Sequence, residues 1–352
     1  MDGYTLKVFF SSVMAGLLSG CATSVDDLLL HDNLAFRNIN EQSLVSGDKK
    51  LDIQYLGVGG YLFQYGDDSI MTAPSFTNPG LINVSLPLPI EPDHALIDEL
   101  LPVEAKQAEF ILVGHAHYDH LMDVPYIMQQ HMPTTIAVGS TTMTNIVTAV
   151  IADERLLDIT DYAAEGQQPG RWIYNRHNTI RFMPIKSDHA PHFMGIKVMS
   201  GTYEDALTEL PSTAYGWKEG QTYAYVIDFL DNQQQPIYRI HYQDAASNSP
   251  DGLMPVMNDT KAVDMTILCV AAFHQVDDYP EAILQQTQPN TIVLGHWEDF
   301  FNNNSFDNQN KPVKGVRMTN IDDFIQRVDA VKKVGARSIL PTPFSFFINH
   351  IL

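Results

Sequence analysis

The stretch Ile111-Leu112-Val113-Gly114-His115-Ala116-His117-Tyr118-Asp119-His120 decides how the chain is read. An apolar β run ends at Gly114, and three histidines and an aspartate follow on the turn into the next helical segment. On extended backbone, residues i and i+2 project to the same side, so His115 and His117 can share one ion while Asp119 and His120 reach a second. A His-x-His-x-Asp-His match arises by chance in roughly one in a thousand chains of this kind. A solvated histidine-rich turn is a poor account of it.

Around this stretch, β-rich runs alternate with helical ones. Strands are expected over Ile53 to Tyr65, Ser69 to Thr72, Phe110 to Gly114, Thr135 to Val138, Thr179 to Ile185, Thr222 to Phe229, Ile237 to Tyr242, Met265 to Ala271 and Thr291 to Leu294. Helices are expected over Ser140 to Ile151, from Pro280-Glu281 onward, and over Ile321 to Val334, where a Thr319-to-Asp322 pattern supplies the cap and Gly335 the stop. Three long connections, Phe76 to Glu109, Met199 to Gln221 and Trp297 to Met318, are expected to shape a pocket, because long loops inside a compact domain are usually functional.

Composition narrows the chemistry. The chain has 352 residues and 45% hydrophobic content, enough for one substantial core. Against 42 Asp plus Glu stand 21 Lys plus Arg, a net charge of -21 that leaves no basic footprint for nucleic-acid phosphates. The 2 cysteines exclude a disulfide scaffold and a cysteine-rich metal ribbon. Any bound metal must therefore be held by histidine and carboxylate. Cys269, inside an apolar run, reads as a small buried hydrophobe.

With its His-x-His-x-Asp-His signature after a strand, the chain resembles the metallo-β-lactamase-fold superfamily of metallohydrolases. The resemblance covers about 300 residues from Leu51 onward. It implies an α/β fold, the four-layer αββα sandwich, and two divalent metal ions. His115, His117 and a downstream histidine would hold the first ion. Asp119, His120 and a last histidine would hold the second, with a carboxylate between them. In the family's order the downstream residues are His189, Asp244 and His296, each just past a β run. His192, three residues after His189, is a rival for the same position, and His241 reads as a core histidine.

Two departures from the family pattern stand out. Thr72-Ala73-Pro74 lacks the carboxylate usual after the early strands, and Gln243 replaces the glycine usual before the bridging aspartate. After His120 the chain reads Leu121-Met122-Asp123, nearer to the lactonase and N-acyl-phosphatidylethanolamine phospholipase D-like branches than to the β-lactamases. The implied activity is a dinuclear metal-dependent hydrolase that turns water into hydroxide and attacks an ester, lactone or phosphodiester, including phospholipid-like substrates. Asp119 would orient the nucleophile. His274, after another β run, would polarise the substrate or protonate a leaving group. Zn2+ is the default for such a site, and the mixed donor set also accepts iron or manganese. The competing expectation is a non-catalytic envelope-binding protein that keeps the fold.

The N-terminus carries a separate message. An apolar run from Val8 to Leu18 is too short for a bilayer span, which needs about 20 residues, and fits the h-region of an export signal. Leu18-Ser19-Gly20-Cys21 resembles a bacterial lipobox, which implies a signal peptide over 1-20 and a lipidated Cys21. Residues 21-50 would tether the domain 51-352 to the periplasmic side of the envelope, at the outer membrane because Ala22 follows the cysteine.

Overall fold

The computed structural model describes residues 34–35 and 50–349, except 193 and 302–312. The expected signal segment, Cys21 and most of the tether lie outside the described residues. Among the described residues no helix is long and apolar enough to cross a membrane.

Two sheets face each other. The first comprises β2 (Leu51–Gly57), β3 (Gly60–Tyr65), β4 (Asp68–Thr72), β5 (Phe110–Leu112), β6 (Ile136–Gly139), β7 (Leu156–Asp158) and β15 (Phe346–Asn349), in the order β15-β2-β3-β4-β5-β6-β7. The second comprises β1 (Leu34–Ala35), β8 (Ile173–Tyr174), β9 (Ile180–Ser187), β10 (Thr222–Leu230), β11 (Pro236–Gln243), β12 (Met265–Cys269), β13 (Thr291–Gly295) and β14 (Arg337–Ile339), in the order β1-β14-β13-β12-β11-β10-β9-β8. Leu34–Ala35 thus forms an edge strand parallel to β14 within the stretch expected as a tether.

Period-2 alternation explains the layering. In β10, Tyr223, Tyr225, Ile227 and Phe229 point between the sheets to meet Ile53, Tyr55 and Phe63. In β12 and β13, Ile267 and Val293 face the same interior, whereas Leu268, Ile292 and Leu294 face outward onto helices. Helices cover both outer faces. On the first lie α1 (Leu81–Ser85), α2 (His94–Leu100), α3 (Tyr118–Leu121), α4 (Val124–Gln130) and α5 (Thr141–Val147); on the second lie α6 (Glu281–Thr287) and α7 (Ile321–Val331). The sheet-facing side of α7 is Ile321, Phe324, Ile325 and Val328. Full burial of each such side chain stabilises by about 1.5–3 kcal/mol.

Most expected strands form with boundaries moved by a residue or two. The run Ile53 to Tyr65 instead breaks into β2 and β3, because Val58 takes a φ of 52° and turns the chain. The cap of α7 is Asn320, whose side chain accepts the Asp323 N–H at 3.2 Å, rather than Thr319. Ser140 does cap α5, but that helix stops at Val147, short of Ile151.

The parallel strands β5, β11, β12 and β13 run in one direction within their sheets and deliver their following loops to one edge of the sandwich. That edge holds the candidate site.

Candidate metal centre

His115 and His117 follow β5, His189 follows β9, Asp244 follows β11 and His296 follows β13. His117 caps α3, a single turn that carries Asp119 and His120. Strand ends and one helical turn therefore bring all seven expected ligands into one cleft. The ring centroids of His115 and His117 are 4.7 Å apart, those of His115 and His189 4.7 Å, and those of His117 and His189 4.9 Å. One nitrogen from each of His115, His117 and His189 can converge on a single ion, as can atoms of His115, Asp119 and His120. His296 approaches from the far side, with Nε2 3.5 Å from Asp119 Oδ2 and its ring 5.4 Å from that of His120.

Asp244 sits at the centre. Its Oδ2 accepts the His115 Nδ1–H at 2.6 Å, and its Oδ1 lies 3.2 Å from His120 Nδ1. The Tyr242 hydroxyl is within hydrogen-bond reach of Asp244 Oδ1 and of the Gly59 carbonyl. Space around this carboxylate is tight: a Cβ on Gly59 would fall 2.7 Å from His120 Nδ1 and 2.9 Å from Asp244 Oδ1. Glycine is required where the β2–β3 turn passes beneath the site.

The charges divide the cluster. Burial, reinforced by the neighbouring histidines, pushes His117 and His189 well below the usual imidazole range, and lowers His115 as well. These rings are neutral and offer lone pairs. Burial also works against charge on His120, but Asp244 and Asp119 outweigh it and push that ring up to about 9. Burial opposes ionisation of Asp119, yet His120 and His296 hold it below the usual carboxylate range. Asp244, similarly buried, is held well down by His120 and His115.

These residues fit metal ions. His115 Nε2 and His117 Nε2 are buried and have no hydrogen-bond partner among the described residues. Buried polar atoms left without a partner are costly and rare, and a cation satisfies them directly. Three neutral imidazoles on one side, with a carboxylate and the rings of His120 and His296 on the other once an incoming cation displaces the His120 proton, form a donor set for a borderline or hard divalent ion.

The departures have local explanations. Ala73 is buried, and the turn it borders is held by Thr72, whose hydroxyl accepts the Tyr61 N–H at 2.8 Å and donates to the Gly59 carbonyl at 2.6 Å. Glu298, fully buried, accepts the Val58 N–H at 2.6 Å and lies 2.6 Å from the Tyr55 hydroxyl, which itself accepts the His296 N–H at 3.1 Å. Gln243 Nε2 lies 3.0 Å from Ser187 Oγ, 2.9 Å from Ser247 Oγ and 2.9 Å from the Ala245 carbonyl, so it ties the end of β9, just before His189, to the loop after Asp244. Asp123 accepts the N–H groups of Phe76 and Thr77, each at 2.7 Å, and burial pushes its carboxyl up to about 7.

Sequence reasoning missed Glu298, Tyr55 and Tyr242. A signal existed for Tyr242, near the end of the strand β11 and two residues before Asp244. Glu298 carried none, since a carboxylate after a strand end reads equally well as solvated. His241 points elsewhere: its Nε2 lies 2.8 Å from the Gly252 carbonyl, and burial pushes it down to about 4. Cys269 is buried, and burial pushes its thiol far above the usual range. His274 is exposed and lines the rim of the cleft, whose walls include Val84, Met199, Phe300, Phe301 and Val316, drawn from all three long connections.

No family model and no curated protein matches the chain. Solved structures do. CmlA, a diiron β-hydroxylase from Streptomyces venezuelae, matches with a TM-score of 0.50 at 10% identity over 86% of this chain and 55% of its own, so the chain spans about half of that enzyme. Igni18, a metallo hydrolase from Ignicoccus hospitalis, matches with a TM-score of 0.48 at 12% identity over 86% of this chain and 99% of its own. A Thermotoga maritima protein assigned to the Zn-dependent hydrolases of the metallo-β-lactamase superfamily matches with a TM-score of 0.35 at 10% identity, over 83% of this chain and 98% of its own. At these identities the likeness is one of fold. The chain is a four-layer αββα sandwich, with its histidine cluster at the edge where the loops after its strands converge.

Proposed function

We propose that the protein is a metal-dependent hydrolase of an ester, lactone or phosphodiester. The observation that carries this reading is the pair of adjoining donor sets, with the buried nitrogens His115 Nε2 and His117 Nε2 left without hydrogen-bond partners among the described residues. His115, His117 and His189 would hold one divalent ion, and Asp119, His120 and His296 a second, with Asp244 between them. Zn2+ suits the set, as do iron and manganese. When bound, such ions polarise a carbonyl or phosphoryl oxygen and lower the pKa of water toward ~7.

The chain's own residues supply the rest. Asp244, by accepting from His115 Nδ1, directs the other ring nitrogen into the cleft. Asp119, ionised and 3.7 Å from His120 Nε2, is placed to accept a hydrogen bond from water and orient it. Met199, Phe300, Phe301 and Val316 exclude bulk water and accept the apolar part of a substrate. His274, at the exposed rim, is positioned to meet a leaving group.

We also propose that lipid on Cys21 holds this domain at the periplasmic face of the outer membrane. The lipobox-like Leu18-Ser19-Gly20-Cys21 supports it, and an anchored hydrolase with an apolar cleft wall would encounter phospholipid-like substrates.

The test is a screen of metal-reconstituted protein across phosphodiester, lactone, thioester and β-lactam substrates. Turnover that a chelator abolishes is expected. Absent turnover with fewer than two ions bound would overturn the reading in favour of a binding protein that keeps the fold.

A further inference from the structure

His189 and His192 stand side by side, their rings stacked with centroids 4.7 Å apart, yet their backbone partners differ in kind. His189 Nδ1 lies 2.6 Å from the Ala190 carbonyl oxygen. A carbonyl only accepts, so Nδ1 carries the proton and Nε2 keeps a lone pair for a cation. His192 Nδ1 instead accepts the Val198 N–H at 3.3 Å. A nitrogen that accepts has no proton, so the proton of this ring sits on Nε2.

The position is built by the backbone. The His192 N–H donates to the Ile196 carbonyl at 2.9 Å, which closes the turn that brings Val198 back onto the ring. His192 lines the cleft with its centroid 5.2 Å from that of His117, and no described residue accepts from its Nε2. A ring whose free nitrogen bears hydrogen offers a cation nothing. It offers an oxygen a directed donor.

We propose that His192 is a substrate-binding residue and not a metal ligand, its Nε2–H donating to a carbonyl or phosphoryl oxygen of the substrate beside His117 and His189. The proposal rests on the hydrolase reading for the identity of that oxygen, while the donor assignment rests on the hydrogen bonds alone. Two histidines three residues apart, equivalent in sequence, thereby take opposite roles. A fixed donor aimed at an oxygen in a water-poor cleft is worth more than the same donor in water, because it needs no reorganisation to receive charge.

The experiment compares zinc-loaded wild type with His192→Ala and His192→Gln, the second keeping an amide N–H on a side chain of similar reach. Metal content is measured by elemental analysis, inorganic phosphate binding by calorimetry, ring protonation by 15N NMR of histidine-labelled protein, and kcat/KM on any substrate found. Expected are equal metal content in all three, a proton on His192 Nε2, and phosphate binding about tenfold to a hundredfold weaker in His192→Ala with partial recovery in His192→Gln. The kcat/KM should follow the same order. Loss of an ion in His192→Ala, an unprotonated Nε2, no phosphate binding by wild type, or equal phosphate affinity in wild type and His192→Ala would each overturn the proposal. Wild type that binds phosphate but turns over no substrate would sink the hydrolase reading instead, and leave the donor role decided by the other measurements.

Discussion

A Cβ on Gly114 would lie 2.1 Å from Oδ2 of Asp244, closer than any two such atoms can approach. The last residue before His115 is thus glycine because the carboxylate that holds His115 fills the space beside it. Gly114→Ala should fold, since Gly114 lies in a bend two residues past the end of β5, but must displace Asp244 from His115 Nδ1. Circular dichroism close to wild type with metal content well below it is the expected result, and turnover should fall by about a hundredfold or more. Full metal occupancy in Gly114→Ala would show that the strand end yields instead.

Asp244 reaches both donor sets, at 2.6 Å from His115 Nδ1 and 3.2 Å from His120 Nδ1. Its removal should therefore cost both ions and not the second alone. Elemental analysis should give close to two ions per chain for wild type and close to none for Asp244→Ala, with turnover abolished. His241→Ala should keep its ions and lose only stability, as for any buried residue. Near-normal turnover in Asp244→Ala, together with metal loss in His241→Ala, would move the role to His241.

Glu298 braces the turn between β2 and β3 from below the site. Val58 holds a φ of 52°, costly for a β-branched residue, and Glu298 secures it through the Val58 N–H. Glu298→Ala leaves the Val58 N–H and Tyr55 hydroxyl buried without this acceptor, at about 1–3 kcal/mol each. A lower thermal midpoint is expected, with the ion nearer His296 lost at lower chelator concentration than the other. An unchanged midpoint would remove Glu298 from the support of the site.

His241 is a probe of pH-dependent stability away from the ions. Burial depresses its folded pKa to about 4, below the unfolded value of about 6.5. Above pH ~6.5 the ring is neutral in both states and has no effect; as pH falls toward ~4, only the unfolded state takes up the proton, so stability is lost. Between pH 7 and 5 that loss is about 2 kcal/mol. Chemical denaturation of chelator-treated protein should show a drop this much smaller in His241→Asn than in wild type. Parallel curves for the two would mean the ring is already charged in the fold.

The anchor is tested apart from the domain. Wild type expressed in a Gram-negative host should fractionate with the outer membrane, and Cys21→Ser should be released to the soluble periplasm. Equal membrane retention of the two would exclude lipidation at Cys21 as the cause.

Much of the architecture was legible in local pattern. Period-2 runs such as Thr222 to Phe229 become strands because alternate residues must face two different apolar layers, and Ile321 onward becomes a helix because its apolar residues recur on one face. The short strands β7, β8 and β14 were not legible, since two or three residues carry too little period to register and form only by pairing with a neighbour already in place. The break at Val58 was hidden for a related reason: a valine in left-handed conformation goes against local preference and is held by Glu298, 240 residues away.

The sequence by itself determined the chemistry available at the site. His115, His117, Asp119 and His120 lie on one strand end and one helical turn, so their spacing alone aims them together, and histidine with carboxylate is all this chain has for holding a metal. What each ring does with its proton was decided only by tertiary structure. Imidazole has two nearly equivalent nitrogens, and the partner of one decides the state of the other. Those partners, Asp244 for His115, the Ala190 carbonyl for His189 and the Val198 N–H for His192, are set by how strands and turns meet across the cleft. The residue types are local properties, whereas the difference between a ligand and a donor depends on which backbone or carboxylate lies 2.6 to 3.3 Å from a ring nitrogen once the chain has folded.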